Sequence, residues 1–167
     1  LGAMSATFVV LLTMILAWIA QRSLKRHGWL LDVAAFLPIA FPSIIVGASI
    51  LFAYLVLPIP IYNTIWILLI AYVTRFMPYG MRYASTSMLQ IHRELEEAAE
   101  ASGANVISTL TRVVLPLLWP SFLRGFLWVF VRSISDATLT LMLQAYGTQT
   151  ITVALWSIWF SLGNFSL

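Results

Sequence analysis

Long apolar stretches separated by short polar segments make up most of the chain. Four of these stretches are candidate membrane spans, because about 20 apolar residues cross the hydrocarbon core of a bilayer as a helix. They cover residues 6–20, 30–57, 61–77 and 115–143. The pattern predicts an all-α, polytopic integral membrane protein with at least four transmembrane helices.

Basic residues indicate which ends of these spans face the cytoplasm, where Lys and Arg are enriched in loops. Arg22, Lys25 and Arg26 lie between the first two spans. The turn at residues 57–63 has two prolines and no basic residue, so we expect it on the opposite side. Residues 82–112 contain three arginines and four glutamates and return to the cytoplasm. Both ends of the chain are therefore expected on the outer side.

The second span contains two prolines, Pro38 and Pro42, one turn apart. Each removes a backbone donor and kinks a helix, which a membrane tolerates where neighbouring groups bind the freed carbonyls. Ser43 and Gly47 add a pair of small residues that lets another backbone approach, as a packing seam or as a hinge. We therefore expect one kinked span. Arg75, near the inner end of the third span, is expected to anchor it by reaching water.

The polar segment has the pattern of a short amphipathic helix. Its apolar or small face consists of Ile91, Leu95, Ala98, Ala99 and Ser102. Its charged face consists of Arg93, Glu94, Glu96, Glu97 and Glu100. Ser87 and Gln90 fit a capping box at the start, and Gly103 fits the left-handed position that ends a helix. Asn105 is placed to cap a second short helix over residues 106–111. These features alone fit either a solvated loop or a docking element.

The composition of the chain argues against several kinds of functional site. Hydrophobic residues make up 61% of the chain and charged residues only 9%, against about a quarter charged in a globular domain. There is no cysteine, and His27 and His92 are far apart, so we expect no metal site. The basic residues are spread along the chain and indicate which loops face the cytoplasm, rather than forming a phosphate-binding patch, so we expect no nucleic-acid binding. No Ser/Lys, Asp/Asp or His-rich constellation indicates an intramembrane enzyme, and no catalytic residue is predicted.

A spaced motif begins in the charged segment. Its fixed positions are Glu97, Ala98, Ala99, Gly103, Val113, Leu115 and Pro116. This pattern resembles the EAA signature of ABC importer permeases, in which EAA is followed by Gly and then by Ile-x-Leu-Pro, with Val113 in place of isoleucine. Residues 37–42, 75–79 and 90–99 also look like the ferric iron branch of that family. The resemblance covers nearly the whole chain.

The resemblance implies a type I ABC importer in which residues 1–167 form part of the transmembrane permease domain. Residues 88–111 would be the cytoplasmic coupling loop, with Glu97 at the contact with an ATPase, Ala98 and Ala99 allowing close approach, and Gly103 making the turn. The implied partners are a cytoplasmic ABC ATPase dimer, a periplasmic substrate-binding protein, and a second permease half or a second copy. ATP and Mg²⁺ would be bound by the ATPase, so no cofactor is expected in this chain. The implied location is the bacterial inner membrane.

Three charged residues lie in the fourth span and are candidates for the translocation path. Arg132 and Asp136 are four residues apart, so they are expected to pair on one helix face, near the outer interface or along the path. Arg124 lies about two turns into the span, where a charge needs a carboxylate partner or a water-filled cavity.

The substrate expected from the resemblance is ferric iron, and a permease for thiamine, a polyamine or a sulfate-like oxyanion is the alternative. A secondary transporter is a more distant alternative, since a protein of that class would need coupling-ion carboxylates or half-helices at the membrane midplane. The chain starts at Leu1 and stops at Leu167 in an apolar stretch, so we expect a fragment of a longer polytopic protein.

Overall fold

The protein is helical throughout the part of the chain that the structure describes. The computed structural model describes residues 1–23, 27–57, 64–144 and 148–162. The α-helices in these residues are α1 (Gly2–Trp18), α2 (Gly28–Phe36), α3 (Ser43–Val56), α4 (Ile65–Gln90), α5 (Arg93–Ala101), α6 (Val106–Thr109), α7 (Leu115–Ser135), α8 (Thr138–Leu143) and α9 (Ile151–Leu162). The all-α fold is confirmed. Lys25, Arg26 and the turn at residues 58–63, on which part of the predicted topology rests, lie outside the described residues.

Three long helices, α1, α4 and α7, pack against one another and form the centre of the bundle. Buried side chains form one cluster around Met81 and a second around Tyr72. Gly80 of α4 lies directly against Val9 and Thr13 of α1. In a bilayer, lipid tails are as apolar as the side chains, so helices associate through such close packing of small residues.

The second predicted span is broken into two helices. A short 3₁₀ turn, Leu37–Ala40, follows α2, and α3 then leaves at an angle of 104°. The bend expected at the prolines is therefore a full break, because Pro38 and Pro42 together stop the helix and leave Phe41 extended between them; that the two helices form one span stays a prediction. Gly47 packs against α8, with Leu139 Cδ2 only 3.3 Å from where a Cβ would lie, which makes it a packing seam.

Arg75 of α4 binds the backbone at this break. Its Nη1 donates to the carbonyl of Pro38 and to the carbonyl of Phe41, at 3.1 Å each. The expectation that neighbouring groups bind the freed carbonyls is confirmed for Pro38 and Phe41. The sequence did not reveal this contact, and the expected role of Arg75 as an anchor reaching water stays a prediction.

The third span is longer than predicted. Helix α4 has 26 residues and continues past Pro78 to Gln90. The predicted capping box is wrong, because Ser87 lies inside α4 and its hydroxyl donates to the carbonyl of Tyr83 at 2.7 Å. Instead, α5 begins after His92, whose backbone is extended. The predicted start of this span at residues 61–63 lies outside the described residues.

The last long helix starts earlier and ends earlier than predicted. Helix α6, a π-helical turn at Leu110–Val114 and α7 run together as one helix of 30 residues, Val106–Ser135. The predicted separate helix over residues 106–111 is therefore wrong, although Asn105 caps the start as expected, accepting from the Ser108 N–H at 2.8 Å. The predicted span to residue 143 is too long, because the chain turns after Ser135 and α8 packs on α3.

Two helices of the described residues are long and apolar enough to cross a membrane, Gly2–Arg22 and Val106–Ser135, and the bent pair is a third if it counts as one span. Helix α4 is also long enough, since 26 residues extend about 39 Å. It carries Arg75 and Arg82, however, and is not among these apolar candidates. The polytopic character is supported, and the number of at least four spans stays a prediction.

Candidate coupling site

The helix α5 is ended by a left-handed glycine. Gly103 has a φ of +88°, and its N–H donates to the carbonyl of Glu100 at 2.9 Å. The N–H of Ala104 donates to the carbonyl of Ala99 at 3.0 Å. This pair of hydrogen bonds is the Schellman motif, which binds carbonyls that the helix end would leave free. The predicted turn at Gly103 is confirmed.

One face of α5 is open along its whole length. Its members are Glu94, Glu97, Ala98 and Ala101, all exposed, and we call them the outward face. The carboxylate of Glu97 pairs with Arg93 one turn earlier, with Oε1 3.1 Å from Nε, and both side chains are more than half exposed. Such an exposed pair contributes about 0.3–0.5 kcal/mol. The outward face is therefore available to a partner.

The apolar face predicted for this helix is mostly exposed. Only Ile91 of the five predicted members is buried, whereas Leu95 is 47% exposed. Leu89, at the end of α4, and Ile107, in α6, are 77% and 73% exposed. Large apolar side chains are thus uncovered on the elements on both sides of α5.

The second part of the motif lies on the long last helix. Val113 falls in the π-helical turn and is half-buried, while Leu115 and Pro116 are exposed in the first turn of α7. Helix α5 packs against α6 and against this π-helical turn. The two parts of the motif therefore meet in one structural unit, in which a rigid helix continues from the segment beside α5 into the bundle.

Glu96 is a residue of this site whose environment the sequence analysis missed. It was assigned to the charged face, yet only 8% of it is exposed. Its Oε1 accepts a hydrogen bond from Nε of Arg22 at 2.7 Å. The helical periodicity did not reveal this, because it assumes that the apolar face of a helix is the buried one. The signal that could have found the pair is the arginine at the end of the first span.

The predicted charge pair on the fourth span is wrong. Helix α7 ends at Ser135 and Asp136 is extended, so the four-residue spacing no longer brings Asp136 to Arg132. Instead, Oδ1 of Asp136 accepts the N–H of Leu139 at 2.8 Å, at the start of α8. Arg132 is exposed, and its guanidinium carbon lies 6.0 Å from the ring centroid of Trp128.

Arg124 is exposed on α7, and no partner is found for it among the described residues. A cavity of about 380 Å³ lies between α1, α4, α7 and the segment before α9, with Tyr72 and Ser133 in its wall. Arg124, Arg132 and Asp136 do not line it. The structure does not bring the three charges together, and their role in a translocation path stays a prediction.

Comparison with known proteins decides the family. Residues 5–166 match the sequence model of a family described as the binding-protein-dependent transport system inner membrane component. The chain belongs to this family. The resemblance found in the motif is thereby confirmed, and the chain is a permease segment of the inner membrane.

Several curated proteins are similar to this permease segment. The "Putative 2-aminoethylphosphonate transport system permease protein PhnV" of Salmonella typhimurium is 30% identical over 138 residues, which are 83% of this chain and 52% of the relative. The ferric transport system permease protein FbpB of Actinobacillus pleuropneumoniae is 28% identical over 90% of this chain and 22% of the relative. The Fe(3+)-transport system permease protein FbpB 2 of Haemophilus influenzae is 22% identical over 93% of this chain and 31% of the relative. The permease segment spans about half the length of these relatives or less.

Proposed function

We propose that this permease segment forms part of the translocation path of an ATP-driven importer and that α5 is its contact with a cytoplasmic ATPase. The observation that carries the proposal is the outward face of α5, on which Glu97 and Ala98 of the motif are exposed in a helix ended by Gly103. Small side chains admit a partner surface to close range, and a carboxylate can bind a basic group on it.

The surroundings of α5 support a protein partner. Leaving a large apolar side chain in water forgoes about 1.5–3 kcal/mol of burial energy, and Leu89, Leu95 and Ile107 are all exposed around this polar segment. Four glutamates make α5 itself an unsuitable surface for lipid. A partner that covers these apolar side chains and meets the acids with basic groups fits both features.

The orientation follows from the basic residues. Arg22, Arg82, Arg93 and Arg112 lie in or beside the segments that surround α5, and basic residues are enriched on the cytoplasmic side. The coupling loop, residues 88–111, is therefore cytoplasmic in this proposal. ATP and Mg²⁺ are bound by the ATPase dimer and not by this chain, and a periplasmic binding protein delivers the substrate.

Movement of substrate follows from closure of the ATPase dimer on ATP. Closure draws together two coupling loops, one from this chain and one from a second permease half or a second copy, and the attached helices reorient. Because α6 continues into α7 without a break, displacement at the loop is carried into the bundle by a rigid element.

The proposed substrate is ferric iron, which the motif stretches suggest and which fits relatives that are named as ferric permeases. A phosphonate is the second candidate, because relatives at 30% identity are named for 2-aminoethylphosphonate. Among the described residues no group of three metal-binding side chains is present. The proposal leaves selection of the substrate to the binding protein, as the family resemblance implies. Uptake of radioactive Fe³⁺ and of 2-aminoethylphosphonate by reconstituted vesicles, each with its binding protein, distinguishes the two.

The docking proposal is tested by cross-linking. The chain has no cysteine, so Ala98→Cys in a Cys-free background of the full-length parent introduces one thiol on the outward face. We expect a cross-link to a single-Cys ATPase that changes with ATP. The matched control is Glu100→Cys, which is exposed on the same helix but about 160° away from Ala98 around its axis. An Ala98→Cys thiol that reacts readily with a soluble maleimide but never with the ATPase would contradict docking.

A further inference from the structure

A partly buried ion pair joins the end of α1 to α5. Arg22 and Glu96 are 74 residues apart, and their side chains are 17% and 11% exposed. Besides the 2.7 Å bond from Nε to Glu96, Nη2 of Arg22 donates to the carbonyl of Ile91 at 3.0 Å. Ile91 is the residue that ends α4, so one guanidinium holds α1, the end of α4 and α5 together.

A change in helix type places Arg22 where it can do this. After Trp18, α1 continues as a π-helical turn, Ile19–Ser23. Such a turn holds an additional residue, which shifts the following side chains around the helix axis, and it is frequent at functional sites. A second side chain of this turn also contacts α4, since Nε2 of Gln21 donates to the carbonyl of Ser85 at 3.0 Å.

The ion pairs of α5 differ in what they can transmit. The pair between Arg93 and Glu97 lies within α5, is exposed, and moves with the helix. The pair between Arg22 and Glu96 is, within the described residues, the ion pair that connects α5 to a bundle helix. Charge-assisted hydrogen bonds shielded from water are stronger and more directional than exposed ones.

We propose that Arg22 and Glu96 are positioning residues that transmit movement of α5 to α1. The inference rests on the proposed function, because the ATPase is what moves α5. Separating the pair would leave a carboxylate with little access to water and no partner, so the pair stays closed while α5 shifts. Helix α1 packs along both α4 and α7, and a displacement at Arg22 is therefore passed into the centre of the bundle.

The test reports movement at the far end of α1. Ala3 is exposed in the first turn of α1, about 28 Å along the helix from Arg22. A nitroxide spin label is attached to Ala3→Cys in a Cys-free background of the full-length parent, assembled with its ATPase in nanodiscs. Its spectrum is recorded with and without ATP in the unaltered pair, in Glu96→Gln, in Arg22→Gln and in the charge swap Arg22→Glu with Glu96→Arg. Glu100→Gln, an exposed carboxylate of the same helix, is the matched control.

We expect ATP to change the spectrum with the unaltered pair and in Glu100→Gln. In Glu96→Gln and Arg22→Gln the change falls at least about twofold, whereas the charge swap recovers part of it. Docking is measured in parallel through the Ala98→Cys cross-link. A spectral response that survives Glu96→Gln, or that is absent with the unaltered pair, overturns the inference when the cross-link is intact. Loss of the cross-link with the unaltered pair contradicts the proposed function itself and the inference with it.

Discussion

The contact of Gly80 with α1 allows a quantitative test of the helix packing. A Cβ added at Gly80 would lie 2.6 Å from Cγ1 of Val9 and 2.8 Å from Oγ1 of Thr13. Both neighbours are β-branched and therefore stiff at χ1. The Thr13 hydroxyl also donates to the carbonyl of Val9 at 2.8 Å, which holds it in place. Gly80→Ala thus forces α1 and α4 apart.

The loss of stability expected for Gly80→Ala is the sum of two opposing contributions to the free energy of unfolding. Overpacking of a close contact costs about 1–3 kcal/mol. Replacing glycine by alanine inside a helix returns up to about 1 kcal/mol of helix propensity. Gly125→Ala on α7 isolates the first term, because its Cβ would lie 3.5 Å from the nearest atoms of Tyr83, an ordinary contact. Gly80→Ala should therefore be less stable than Gly125→Ala by about 1–3 kcal/mol.

The assay is unfolding of the purified full-length parent in mixed micelles of a mild detergent and SDS, followed by tryptophan fluorescence. We expect the midpoint for Gly80→Ala to fall at a lower SDS fraction than the midpoint for Gly125→Ala. Equal midpoints for the two variants would refute the packing argument, because a methyl group is too close to its neighbours at Gly80 but in ordinary contact at Gly125.

Two further predictions concern the backbone. Gly103→Ala should lower the efficiency of the ATPase cross-link, because the φ of +88° costs an alanine about 1–2 kcal/mol although its Cβ would meet no neighbour. Gly103→Asn should retain more of the cross-link, because asparagine tolerates the left-handed conformation better, and equal effects of Ala and Asn would contradict this. Arg75→Met should lower the free energy of unfolding in the micelle assay by about 1.5–3 kcal/mol, because the carbonyls of Pro38 and Phe41 lose a charged donor. Arg82→Met, an exposed arginine of the same helix, is the control and should change it by less than about 0.5 kcal/mol.

Local features of the coupling site could be predicted because they depend on a few neighbouring residues. The left-handed turn at Gly103 and the cap at Asn105 both follow from residue types at fixed spacings. The environments of Glu96 and Asp136 could not be predicted in this way. Glu96 is paired inside the protein with Arg22, which lies 74 positions earlier in the chain. Asp136 binds the N–H of Leu139 and not Arg132, because α7 ends one residue before it.

The sequence by itself determined that the chain is helical, membrane-embedded and a permease segment. Hydropathy, the helix caps at Asn105 and Gly103 and the EAA spacing each depend on residues that are close together in the chain. Only the tertiary structure decided the 104° break of the second span, the engagement of Arg75 by that break, and the direction in which α5 faces. Periodicity identifies two faces of a helix but not which one meets the bundle. In α5 the inward side carries Glu96, since Arg22 of another helix supplies a partner that offsets part of the cost of burying its charge.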